Sequence, residues 1–203
     1  MHSQTADLYS TKDALLVDWT FRYRQRSASA LLVTEILMIA GGALLLSLLA
    51  QIRINVGWVP ITGQTLGVLL VGAALGWDRG TFSVICYLLL GFCGVPVFAT
   101  LVGPAALFGP TAGFLLSFIP AAAVVGYLSD RGWDRKFSTA IWAFLIGHII
   151  VFAIGVTWLA FWLDDSSAAI ASGLLPFIPG MVVKTIVATA LLPLAWQLRN
   201  RLK

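Results

Sequence analysis

The chain has 203 residues, 59% of them hydrophobic and only 11% charged, against roughly 25% charged in an ordinary soluble domain. A soluble fold of this size cannot hide so much apolar surface, whereas a bilayer is itself the apolar phase, so the composition excludes a soluble domain with a single anchor. Thirteen basic residues against nine acidic ones leave a small positive balance spread over termini and short connections, which gives no reason to expect nucleic acid as a partner.

Residues 1–28 carry scattered charges (Asp7, Lys12, Asp13, Asp18, Arg22, Arg24 and Arg26) and lack the short apolar core of a cleavable signal peptide. They are expected to form a cytoplasmic N-terminal arm ahead of a transmembrane domain over 29–203. The run 31–50, broken only by Thr34, Glu35, Gly41, Gly42 and Ser47, predicts the clearest spanning helix. Two shorter helices follow at 64–77 and 81–94, joined by a tight turn at Asp78, Arg79 and Gly80. A fourth is predicted over 111–129, a fifth and longest over 137–163, and a sixth over 180–198. The expected fold is therefore an all-α integral membrane protein, a bundle of six transmembrane helices. Cys86 and Cys93 lie seven apart on one helix, about 10 Å at 1.5 Å per residue, too far for a disulfide and without metal-ligand spacing.

The charges orient this bundle. Eleven basic residues (Lys12, Arg22, Arg24, Arg26, Arg79, Arg131, Arg135, Lys136, Arg199, Arg201 and Lys203) fall on one side of a six-helix arrangement. The other side receives Arg53 with Asp164 and Asp165. The positive-inside rule then places both termini in the cytoplasm, and Trp58, Trp77, Trp133, Trp158, Trp162 and Trp196 fall near helix ends as an interfacial belt requires. The opposite connections are long, nearly uncharged and rich in Gly and Pro. Residues 95–110, VPVFATLVGPAALFGP, are apolar enough to enter the membrane, but Pro96, Pro104 and Pro110 forbid a continuous helix. Irregular backbone at that depth survives only when buried in protein or lining a cavity, which predicts a lid or pocket wall.

In this orientation helices 2, 4 and 6 all begin at the outer face, each presenting unpaired N–H groups and the positive end of its dipole. Thr62 is a plausible N-cap for helix 2, and Pro110 opens helix 4. One basic residue, Lys184, lies inside a predicted helix, about a turn into helix 6. It could snorkel to the interface; the sharper reading is a site for a small molecule carrying a carboxylate. His148 reads as a hydrogen-bonded bundle residue and Glu35 as the partner of a nearby arginine. The Gly72/Gly76/Gly80 spacing reads as close helix packing. There is no HExxH, no GxSxG, no intramembrane carboxylate pair and no GxxxxGK[ST] loop, so neither an enzyme nor an ATPase is expected.

Gln51-Ile-Arg-Ile followed by VPITGQTLGVLLVGAALG (59–76), YLLLGFCGVPVFA (87–99), GPTAGF (109–114) and Pro179-Gly180 followed by Lys184 together resemble the BioY family. These are the biotin-specific membrane components (S components) of energy-coupling-factor transporters. The likeness runs from about Ala30 to the C-terminus in the same order. It implies a six-helix component of the bacterial cytoplasmic membrane that captures biotin from outside. It implies no enzymatic cofactor, and partnership with a transmembrane coupling protein and two cytoplasmic ATPase subunits, although some members occur alone. By position the resemblance makes Thr62, Gln64, Tyr87 and Thr111 pocket residues and Phe98 a wall for the apolar part of the ligand. It makes Ala40, Ala43 and Ser47 a face that docks on the coupling protein. It also marks two departures. Met181 stands where the family pattern Pro-Gly-Asp-x-x-Lys has an acid, leaving Lys184 alone, and Phe114 replaces a tyrosine. The first keeps open a different ligand, another small carboxylate vitamin or a biotin precursor such as dethiobiotin.

Overall fold

The computed structural model describes residues 28–55, 57–100 and 103–201; the expected arm over 1–28 lies outside the described residues except for its last one. Helix α1 (Ala28–Gln51) leads into two short strands, β1 (Arg53–Ile54) and β2 (Ile61–Thr62), paired antiparallel with Arg53 opposite Thr62. Then come α2 (Gln64–Phe92), a 3-10 turn at Gly103–Leu107 and α3 (Ala112–Asp130). A second 3-10 turn, Trp133–Arg135, precedes α4 (Phe137–Leu163), and the short α5 (Ser166–Gly173) and a third turn lead to α6 (Ile178–Arg201). Among the described residues five helical stretches are long and apolar enough to cross a bilayer, with α5 and α6 counted together as Ser166–Leu198.

Helix α2 is not one straight rod. Gly76 interrupts it with φ 85° and ψ −179°, a backbone region essentially open only to glycine. The two arms on either side fold back on each other: a Cβ on Gly80 would sit 2.8 Å from the Cα of Gly72, and Gln64 and Tyr87 are hydrogen-bonded across 23 residues. A straight helix would hold those two about 35 Å apart. The reversal thus occurs at Gly76, earlier than the expected Asp78-Arg79-Gly80 turn. Those three residues are helical because they open the second arm: the Asp130 carboxylate accepts the Trp77 N–H at 3.2 Å, a favourable anion at a helix start. Arg79 turns inward to a bidentate ion pair with Glu35 of α1, at 2.6 and 2.7 Å, so the expected partner of Glu35 is identified.

The small residues of α2 serve close packing, as their spacing suggested. A Cβ on Gly72 would meet the Ala122 carbonyl oxygen of α3 at 2.7 Å, and one on Gly126 of α3 would meet the Gly76–Trp77 backbone at 2.6 Å. Helices α2 and α3 therefore form the centre, each with 61% of its most apolar window buried, while α1, α4 and α5–α6 bury 28%, 33% and 22%. In a membrane protein the remaining apolar surface faces lipid. The layout leaves the starts of α2, α3 and α6 and the stretches 57–63, 95–100 and 103–110 gathered at one end, which is where the cavity lies.

Candidate functional site

The cavity holds about 550 Å³ of empty space, part of it open to the outside. Val59, Pro60 and Thr62 from the β1–β2 hairpin, Phe98 to Thr100 and Ala106 from the 95–110 segment, and residues of α2, α3, α4 and α6 line it. The Pro-rich segment is thus pocket wall, as expected. It is held there by Phe98, whose ring fits over Gly91 so closely that a Cβ at position 91 would come within 2.1 Å of it.

A chain of hydrogen bonds sets the polar side of the cavity. Thr62 Oγ1 accepts the Gln64 backbone N–H at 3.2 Å and donates to Gln64 Oε1 at 2.9 Å. Gln64 Nε2 donates to the Tyr87 hydroxyl at 2.5 Å, and that hydroxyl points on to the Val97 carbonyl at 3.4 Å. The Val97 carbonyl also takes a bond from Gln51 Nε2 at 3.3 Å. Tyr87 is fully buried beneath this network, its ring edge-on to Phe98 with centroids 5.4 Å apart. It does not line the cavity.

Lys184 does line it, and among the described residues it is the one charged residue on the lining. Its ammonium donates to Thr65 Oγ1 at 2.7 Å across α2 and α6. Thr111 lines the cavity beside the start of α3 and donates to the Ala106 carbonyl at 3.1 Å. The apolar side is aromatic: Phe114 stacks on Phe177 at 6.2 Å, and Phe177 meets Phe152 edge-on at 6.0 Å. Beyond Phe152 lies buried His148, whose Nδ1 is 3.0 Å from the Phe144 carbonyl and 3.3 Å from Thr185 Oγ1. It is the bonded bundle residue that its position suggested.

Of the residues singled out in the sequence, the structure brings Thr62, Gln64, Phe98, Thr111 and Lys184 onto one cavity, with Tyr87 directly behind Gln64. Met181 is half-buried and not among the lining residues. The docking trio separates: Ala40 is exposed, Ala43 lies in the chain's own core, and Ser47 is half-buried with its hydroxyl donating to the Ala43 carbonyl at 2.8 Å. The open surface of α1 runs instead through Leu37, Ala40, Gly41, Leu44 and Leu48. Phe114, marked in the sequence only as standing in place of a tyrosine, lines the cavity too, and so do Thr65, Phe152 and Phe177, which the sequence did not single out. Thr65 adjoins Gln64 in the same first turn, a signal that was available; Phe152 and Phe177 look like any other apolar residue of a membrane protein. No group of three or more His, Cys, Asp or Glu able to hold a metal occurs among the described residues.

The profile of the BioY family matches residues 22–201. A biotin transporter, BioY2, of Lactococcus lactis is 41% identical over 157 residues, covering 75% of this chain and 84% of that protein. The biotin transporter BioY of Rhizobium etli is 39% identical over 154 residues, covering 72% and 82%. Among solved structures, the S component for biotin from an ECF-type ABC transporter superposes with a TM-score of 0.73 at 27% identity, covering 86% of this chain and 95% of that one.

Proposed function

This chain belongs to the BioY family, and from that premise we infer that its cavity captures biotin for uptake, as the substrate-specific subunit of an energy-coupling-factor transporter. The observation that carries the reading is the make-up of the cavity: one ammonium, one oriented amide and an aromatic wall. Biotin has a carboxylate, a urea and an apolar bicycle with a short alkyl chain. Lys184 has no acidic partner among the described residues, because Met181 occupies the position of the family acid, so the natural counter-charge for its ammonium is the ligand carboxylate. Phe98, Phe114, Phe152 and Phe177 take the apolar part; burying such surface contributes about 25 cal/mol per Å². Calorimetry of the detergent-purified protein should show saturable biotin binding that the methyl ester of biotin competes for poorly. Absence of biotin binding, or tighter binding of dethiobiotin, would replace biotin as the ligand.

The finer arrangement is a bundle crossing the bacterial cytoplasmic membrane six times, the two arms of α2 each counted, with both termini and the 131–136 connection inside. The eleven basic residues support it. In a background without Cys86 and Cys93, Ser166→Cys should react with an impermeant thiol reagent in intact cells and Lys136→Cys only after permeabilisation; the reverse pattern inverts the orientation. The chain contains no phosphate-binding loop, so uphill uptake draws on a transmembrane coupling protein and two cytoplasmic ATPase subunits. Accumulation of biotin against a gradient by the chain alone in sealed vesicles would make it a solitary transporter.

A further inference from the structure

Gln64 is 6% exposed and lines the cavity, and its amide is held between two hydroxyls. A primary amide offers two N–H donors and two carbonyl lone pairs. The Thr62 hydroxyl, already accepting the Gln64 backbone N–H, has its own hydrogen left for Oε1. The Tyr87 hydroxyl, directed to the Val97 carbonyl, has a lone pair left for Nε2. These two contacts use one lone pair and one hydrogen, and leave one of each. The opposite orientation of the amide would serve the same two hydroxyls, with Thr62 accepting from the NH2 and Tyr87 donating to the carbonyl, so the count of groups left over is the same either way.

We propose that Gln64 is the specificity-determining residue for a urea: its remaining N–H donates to a ureido carbonyl and its remaining lone pair accepts a ureido N–H. Tyr87 is a positioning residue that acts through it. The proposal rests on the biotin reading of the cavity and adds the group that reads the ring end. Its chemical consequence is discrimination. In the 2-imino analogue of biotin the urea is replaced by a cyclic guanidinium, which presents only donors, so the free N–H of Gln64 meets another N–H and finds no acceptor. A buried donor left without a partner costs more than the bond it replaces is worth.

The test compares binding of biotin and of its 2-imino analogue, by calorimetry in detergent, to wild type, Gln64→Glu and Tyr87→Phe. Wild type should prefer biotin. Gln64→Glu, with acceptors only, should weaken biotin and strengthen the analogue, moving the ratio of their affinities by roughly tenfold or more. Tyr87→Phe keeps the ring against Phe98 but releases the amide to turn over, so the ratio should move the same way by a smaller factor. Equal weakening of both ligands in either variant would make the network purely structural and overturn the assignment of Gln64, while leaving biotin binding by wild type intact. Wild type that binds neither ligand would overturn the biotin reading itself, and this assignment with it.

Discussion

The two ends of the bundle bury polar groups on opposite terms. At the pocket end, Thr62, Gln64 and Tyr87 form one hydrogen-bonded chain and Lys184 bonds separately to Thr65, yet Gln64 and Lys184 face an open cavity with capacity to spare. At the other end, where α2 reverses at Gly76, the Arg79 guanidinium and the Glu35 carboxylate meet in a bidentate pair, and Arg79 is 5% exposed. There Asp134, 1% exposed, accepts from Trp196 Nε1 at 2.5 Å while the Arg135 guanidinium lies 4.7 Å from the Trp196 ring centre. The contrast teaches which groups hold the fold and which are kept for a ligand. Substitutions at the reversal end should change stability with little specific effect on binding, and those at the pocket end the converse.

The largest effect is expected at the ion pair. Arg79→Met leaves the Glu35 carboxylate without its bidentate partner; because Glu35 is itself 34% exposed, the lower end of the range for breaking a buried pair applies, about 3 kcal/mol. Thermal unfolding in detergent should show it as a clear drop in midpoint, with biotin affinity of the remaining folded protein unchanged. A tenfold loss of affinity at unchanged stability would erase the distinction between the two ends.

Lys184→Met tests the other side of the comparison. A buried hydrogen bond to a charged group is worth roughly 1.5–3 kcal/mol, so biotin binding should weaken about ten- to a hundredfold, with Phe137→Leu, far from the cavity, as the neutral control. Wild-type affinity in Lys184→Met would show a lysine that only snorkels. At the reversal itself, Gly76→Ala places a Cβ where φ is 85°, at a cost of about 2 kcal/mol in stability; an unchanged unfolding midpoint would mean that the two arms can turn without this backbone conformation.

The polar groups of both ends were largely legible in the sequence, and the apolar ones were not. A lysine or an arginine inside a hydrophobic run has few reasons to be there, so Lys184 stands out in the sequence and Glu35 has an arginine to match it, whereas Gln64 is marked only by the family resemblance. Apolar residues give no such signal, because lipid and protein interior are equally apolar and the helices are hydrophobic all round. That is why Phe152 and Phe177 carry no mark of the pocket in the sequence, and why a buried Ala43 cannot be told there from an exposed Ala40. The turn that the composition suggests lies two residues beyond the actual reversal of α2 for a related reason. Asp78-Arg79-Gly80 has the composition of a turn, but its charges are engaged in starting the second arm and in reaching Glu35, which leaves the bend to Gly76.

The smallest expected effect is a pH dependence confined to the reversal end. Burial pushes the Asp134 carboxyl up from 3.8 to about 6, against the opposing pull of its Trp196 hydrogen bond and the nearby Arg135 charge and with help from Asp130. Because the folded value lies above the unfolded one, the folded state holds this proton more tightly, so the carboxyl weakens the fold progressively as pH rises from about 4 to about 6 and by a constant amount above. Asp134→Asn removes that titration. Its carboxamide oxygen can still accept from Trp196, and its NH2 takes the place of Oδ1, which is unpartnered in the structure, much as the hydroxyl of a protonated carboxyl would. The variant should therefore match wild type near pH 4 and exceed it in unfolding midpoint at pH 8, by on the order of 1 kcal/mol. Biotin affinity should be the same in both at either pH, since Asp134 lies at the end of the bundle away from the cavity. A difference between the two proteins that is as large at pH 4 as at pH 8 would show that the substitution acts through packing under Trp196, and that the Asp134 carboxyl is not what titrates.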